Sequence, residues 1–204
     1  MHAKGMFDPI EPGEPKQPEA EEWQPLPPPG EAGPADLRHP QLGESSRYWA
    51  YHDRVGVLEG YVCRFETVGP DAKRGKEFRP LRWGELTKNG RTRIGWHWKG
   101  WGEGRPLFGQ CELLARPGAP VLIVEGEKKV EAARRLFPDY VAVSPMNGAR
   151  STHKTDWTPV AGHPAVVWPD NDEAGRAFSH ASARLATDAG AVSAAIVKVP
   201  QGWP

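Results

Sequence analysis

The sequence predicts an α/β protein whose C-terminal part is a parallel sheet with flanking helices. A small basic β-rich region and a Pro-rich tail precede it. Three observations lead there. Four short apolar runs recur after residue 118: VLIV at 121–124, YVAV at 140–143, AVVW at 165–168 and AAIVKV at 194–199. Continuous runs of this length suit strands buried on both faces. Helix-period stretches fill two of the gaps between them, and strand–helix–strand alternation at this spacing implies parallel strands with right-handed crossovers. Further upstream, YWAYHDRVGVLEGYVCRFETV alternates aromatic or β-branched residues with polar ones around glycine turns, the pattern of antiparallel hairpins.

In chain order, residues 1–40 are rich in Pro, Glu and Gly. Such a segment buries too little apolar surface to offset its ordering entropy, so it is expected to be a disordered or loosely docked tail. Trp23 and the run Pro27-Pro28-Pro29 are its only adhesive features. Residues 41–117 form the expected β-rich region, with KEFRPLRW and RIGWHWKGW as further strand-like pieces carrying Arg, Lys and Trp. The tryptophans of the second piece can form a small core or stack on bases. Residues 118–204 form the α/β part. In EKKVEAARRLF the positions Val130, Ala133, Leu136 and Phe137 share one helical face, and in the second helix Ala174, Phe178, Ala181 and Leu185 do so. Gly190 is a natural stop for that second helix.

Composition removes several function classes. Lys plus Arg and Asp plus Glu number 26 each, which argues against a simple basic coat for DNA. The two cysteines, Cys63 and Cys111, form neither a disulfide framework nor zinc-ligand spacing with histidines, and His153, His163 and His180 read as surface residues. The N-terminus lacks a signal-peptide core, and no apolar run is long enough for a membrane span. A soluble, cytoplasmic protein without a membrane partner is expected.

The chemistry sits just past two of the apolar runs. Glu125 and Gly126 follow VLIV, and Asp170 and Asp172 follow AVVW. In an extended segment residues two apart point the same way, so both aspartates can aim at one place, and Glu125 can join them from a neighbouring strand. Three converging carboxylates repel one another unless a cation neutralises them. Mg²⁺, or Mn²⁺ in its place, suits an all-oxygen set completed by substrate phosphate. Gly126 leaves room for a phosphate beside the backbone. Taken alone, Asp-Asn-Asp before a helix reads as a turn with Asp172 as N-cap. An EF-hand starting at Asp170 fails at Ala174 and Ala181, and no Walker A ending is present.

The paired segments VLIVEGEKKVEAARRL and VVWPDNDEAGRAFSHASARL resemble the TOPRIM signature shared by bacterial-type primases, type IA and II topoisomerases and some nucleases. The resemblance implies that Glu125 is an acid/base or metal-associated group and that Asp170 and Asp172 hold Mg²⁺. MNGARS, with Gly148, stands where primase-like members carry a turn between the motifs. Gly104-Arg105-Pro106-Leu107-Phe108-Gly109 is similar to the turn that ends the basic subdomain of primase cores. By the same similarity Arg64, Lys76 and Arg105 are expected at triphosphate or template; Gly126, by its open backbone, is a further phosphate contact, and Lys128, on the first turn after Glu125, is either another or an exposed helix residue. The function this implies is a Mg²⁺-dependent primase core making RNA primers from NTPs on single-stranded DNA. A TOPRIM nuclease and a non-catalytic module that docks DNA or a helicase are the alternatives. The absence of further acids after 194–199 suggests a piece of a longer phage- or plasmid-type replication protein, whose remainder holds a helicase.

Overall fold

A computed structural model of the chain describes residues 21–30, 33–34, 36–69, 72–200 and 202. The N-terminal portion contains strands β1 (Glu21–Pro25), β2 (Arg38–His39), β3 (Gly43–Glu44), β4 (Arg47–His52), β5 (Leu58–Val68), β6 (Arg74–Lys88), β7 (Arg91–His97) and β8 (Leu107–Phe108). Helix α1 (Cys111–Ala115) leads into β9 (Val121–Val124), α2 (Glu127–Leu136), β10 (Val141–Pro145), β11 (Pro164–Trp168), α3 (Glu173–Asp188) and β12 (Ser193–Ile196). Two 3-10 segments, Gly148–Lys154 and Thr158–Val160, lie between β10 and β11.

The first sheet is antiparallel, in the order β1-β6-β5-β4, with β7 on the other side of β6. Strand alternation divides its residues cleanly. Tyr61, Cys63, Phe65 and Leu81 form a core on one face. Trp49, Tyr51 and Val62 project from the other face and share a core with Leu122, Val124, Val130 and Ala133 of the second sheet and its helix. Trp96 and Trp98 pack beside the first core, and Trp101 lies in the second, which is the core role rather than an open stacking platform. Burial pushes the Cys63 thiol up to about 12.

The expected tail of residues 1–40 is corrected in its second half. Glu21–Pro25 pairs antiparallel with β6 from Lys88 to Gly84, and the Trp23 ring meets His97 edge-on at 5.5 Å. Composition misjudged this segment because its stabilisation comes from main-chain bonds to an existing strand edge, which need no apolar periodicity of their own. Residues 1–20 of that tail lie outside the described residues.

The second sheet has the order β12-β11-β9-β10-β8. Strands β9, β10, β11 and β12 are parallel, and β8 joins β10 antiparallel. Val121, Ile123, Val143 and Val167 face a core shared with Phe178 of α3. Leu122 and Val124 face α2 on the opposite side. Four details differ from the sequence reading. The buried stripe of α3 is Gly175, Phe178, Ser179, Ser182 and Ala186, so Ala174 is exposed and serines stand where apolar residues were expected. Small residues let the helix approach the sheet, which a hydrophobicity pattern does not register. On α2, Leu136 is 70% exposed although Val130 and Ala133 are buried. Ser193, Ala194 and Ala195 of β12 are exposed too, because this is an edge strand and is not covered on both faces. His163, expected on the surface, is buried with Nδ1 against the Ala119 carbonyl at 2.8 Å.

Candidate active site

The chain leaves β9 in one direction, through α2 to β10, and leaves β11 in the other, through α3 to β12. The carboxyl ends of the adjacent strands β9 and β11 therefore form a switch point, where the two connections diverge and leave an open crevice. Val124 and Trp168 are the last register pair there. Glu125 follows the first, and Asp170 stands two residues past the second. The sequence-predicted acids thus reach one edge of the sheet from two separate strands.

Each acid has its own surroundings. Glu125 is half-buried, and its Oε2 is buried without a hydrogen-bond partner. Burial raises its pKa, the negative charge of Asp170 adds to this and Asp172 adds less, while Lys129 and the Ala149 backbone act in the opposite sense. Gly148 presses on it: a Cβ there would lie 3.0 Å from Glu125 Cγ, and the φ of +56° disfavours any side chain. The Gly-containing turn is therefore the wall against which Glu125 rests. Gly126 has a φ of 101° and opens onto free space, and its N–H donates to Ser144 Oγ at 2.7 Å. Asp170 Oδ1 contacts the Lys129 ammonium directly. Asp172 is extended and its Oδ1 accepts from the Gly175 N–H at 2.7 Å, so it caps α3 as well as standing beside the site. Gly175 is fixed by close approach, since a Cβ would sit 2.2 Å from the Asp170 carbonyl oxygen.

A divalent ion suits this set in kind. The donors are all oxygens, one of them is a buried orphan, and Glu125 feels the repulsion of both aspartates. Their spacing is looser than a closed site: among the described residues, no three acidic, His or Cys side chains stand close enough to hold one ion. Asp170 is turned toward Lys129 instead.

The cations named from sequence fall in different places. Arg64 lies across from Arg47 and Phe78, and Lys76 is two residues from Phe78, so all four share the sheet face that carries Trp49 and Tyr51. Arg64 pairs with Glu66 at 2.8 Å, and Lys76 is exposed. Arg105 is not on this sheet. Its guanidinium donates to the Gly102 carbonyl and to Ser151 Oγ, at 3.2 and 3.1 Å, beside the 3-10 segment that begins at Gly148. Lys128 is exposed on α2, and it is its neighbour Lys129 that reaches the acids.

Sequence reasoning also missed how the sheet grips α2. Arg47, Trp49 and Tyr51, alternate residues of β4, reach Glu131 Oε2, Glu131 Oε1 and Glu127 Oε1. Strand period two meets helix period four, so one row of side chains matches two acids a turn apart. The signal lay in RYWAY and ExxxE, but nothing in the sequence says that these two segments meet. Lys129 left a clearer sign, because a basic residue in the first turn of a helix opposes the helix dipole and needs a reason. A cleft of about 800 Å³ is lined by Leu136, Phe137, Trp168 and Val199 together with Lys129 and Asp170.

No family model matches the chain, and no curated protein matches it. Solved structures do. The Aquifex aeolicus primase, as its zinc-binding and RNA polymerase domains, is 19% identical with a TM-score of 0.50, over 76% of this chain and 34% of that one. A DnaG catalytic core is 20% identical with a TM-score of 0.48, over 76% and 45%. A DnaG primase catalytic domain bound to single-stranded DNA is 18% identical with a TM-score of 0.42, over 76% and 44%. The chain thus spans less than half the length of these structures. At this identity the likeness speaks to architecture alone: the chain has an α/β fold similar to that of a primase catalytic core.

Proposed function

We propose that the chain is the catalytic part of a primase, which joins ribonucleoside triphosphates on a single-stranded DNA template. The observation that carries this reading is the arrangement of charge. Glu125 and Asp170 stand at the switch point of the parallel sheet, while Arg47, Arg64 and Lys76 share the face of the antiparallel sheet that packs against its helix. Acids to hold a metal together with bases to hold phosphate are what phosphoryl transfer needs, since developing charge on the phosphate must be stabilised from fixed positions.

In this reading Glu125, Asp170 and Asp172 hold Mg²⁺ or Mn²⁺, which when bound would neutralise phosphate charge and favour ionisation of the attacking hydroxyl. The protein's own groups do the rest. Glu125 Oε2, buried and without a partner, takes the proton from the primer hydroxyl, a role for which its raised pKa makes it a stronger base than an ordinary carboxylate. Lys76 and Arg64 draw in the triphosphate or the template backbone. Gly148 and Ala149 keep the Glu125 side chain in place. The setting we propose is phage- or plasmid-type replication in the cytoplasm, with a replicative helicase as partner, in the same chain or a separate one. No helix among the described residues is long and apolar enough to cross a membrane.

The test is incorporation of labelled NTPs on single-stranded DNA beside cleavage of the same DNA labelled at its 5′ end. Short RNA products that need template and divalent metal are expected. Cleavage without any extension would replace this reading with a nuclease, and neither activity would favour a docking module.

A further inference from the structure

We infer that the Lys129 ammonium is a resident counter-cation of the acid site, against which a divalent ion must compete for Asp170. The inference rests on the proposed metal site and concerns a residue that the site does not otherwise use. Lys129 lies in the first turn of α2, five residues past the end of β9, and its Nζ touches Oδ1 of Asp170 past the end of β11. A cation is disfavoured by the helix dipole at that place, so its position must be compensated by the acids it faces. It faces two. The pair with Asp170 is direct, and the same ammonium offsets the repulsion that Asp170 exerts on Glu125. One ammonium thus partly neutralises two carboxylates that would otherwise destabilise each other.

Lys129 occupies one of the two Asp170 oxygens, and its charge opposes the approach of a second cation to the same carboxylate, so lysine and divalent ion compete there. Metal affinity is therefore lowered by the stability of the lysine pair, as for any ligand whose binding-competent state is only partly populated. The pair is screened, its side chains being 44% and 41% exposed. An exposed pair holds its partners only weakly, so the competition is worth at most roughly a fivefold change in metal affinity.

Two consequences of opposite sign follow from removing the charge while keeping the stem, as in Lys129→Met. Without metal the acids are left to repel one another, so the variant melts below wild type. With metal the competitor is gone, so Mg²⁺ or Mn²⁺ binds more tightly, by up to about fivefold, and raises the melting temperature by more than it raises that of wild type. A merely structural ion pair would lower stability with and without metal alike. The experiment is a thermal-melting titration of the full chain with MgCl₂ and with MnCl₂, using wild type, Lys129→Met and Lys128→Met. Lys128→Met, exposed on the same turn, should follow wild type. Equal or weaker metal affinity in Lys129→Met overturns the inference while leaving the metal site standing. If wild type itself shows no metal-dependent shift but NTP incorporation persists, the metal assignment falls and this inference with it.

Discussion

Removing the hydroxyl of Tyr51 should weaken the protein in a pH-dependent way. Tyr51 is fully buried and its OH donates to Glu127 Oε1 at 2.7 Å, while Glu127 is only 7% exposed. Burial raises the Glu127 pKa above its ordinary value, and the Tyr51 hydrogen bond is what pulls it back down most. In Tyr51→Phe the carboxylate loses that donor in a place water scarcely reaches. A hydrogen bond to a charged group is worth about 1.5–3 kcal/mol, and one to a neutral group about 0.5–1.5. The sign with pH follows from linkage. A carboxyl whose folded pKa lies above its unfolded value contributes stability that is complete below the unfolded pKa and is lost as pH rises through the folded one. The variant raises the folded pKa further, so its deficit against wild type should grow from about 1 kcal/mol in mild acid to about 2–3 kcal/mol at pH 8. In a chain of this size that is roughly 2–4 °C of melting temperature per kcal/mol. Urea unfolding at pH 5 and pH 8 measures both values. A deficit equal at the two pH values, or below about 0.5 kcal/mol at pH 8, would refute the reasoning. Glu127→Gln supplies the control, since the amide oxygen keeps the bond to Tyr51 without a buried charge, and stability should then no longer fall through this group as pH rises.

Gly175→Ala should destabilise by about 1–3 kcal/mol or more, because the new Cβ meets the Asp170 carbonyl at 2.2 Å, whereas alanine in an open helix position would stabilise; chemical unfolding reads the sign directly. Asp172→Asn should leave the melting temperature nearly unchanged, since asparagine caps a helix as well as aspartate, while Asp172→Ala costs about 1 kcal/mol. Trp23→Ala should cost about 2 kcal/mol, roughly half the value for a fully buried tryptophan, because β1 is part of the sheet; an unchanged melt would return this segment to the tail. Lys76→Ala should lower NTP incorporation efficiency ~10–100-fold while changing affinity for single-stranded DNA much less, measured side by side in one buffer.

The C-terminal architecture was legible because β9, β10 and β11 are short and apolar and are separated by helix-length segments, a pattern with few alternative folds. The positions of Glu125, Asp170 and Asp172 followed from it, since residues at strand ends go where the sheet goes. What could not be read was long-range. That Asp170 would face Lys129 rather than only its fellow acids depends on the rotation of α2 over β9. That Glu21–Pro25 would join β6 depends on an edge left open where β5 diverges. The serine-lined face of α3 was missed because Ser179 and Ser182 score as polar, although their small size is what lets the helix lie close to the sheet.

Manganese binding followed by electron paramagnetic resonance tests the acid site most directly, since free Mn²⁺ gives a signal that is lost on binding. Wild type should bind one ion, and Asp170→Asn with Asp172→Asn should bind none at the same concentrations, with circular dichroism and melting showing the variant folded. An equal number of ions bound by the folded double variant would contradict the assignment of these aspartates.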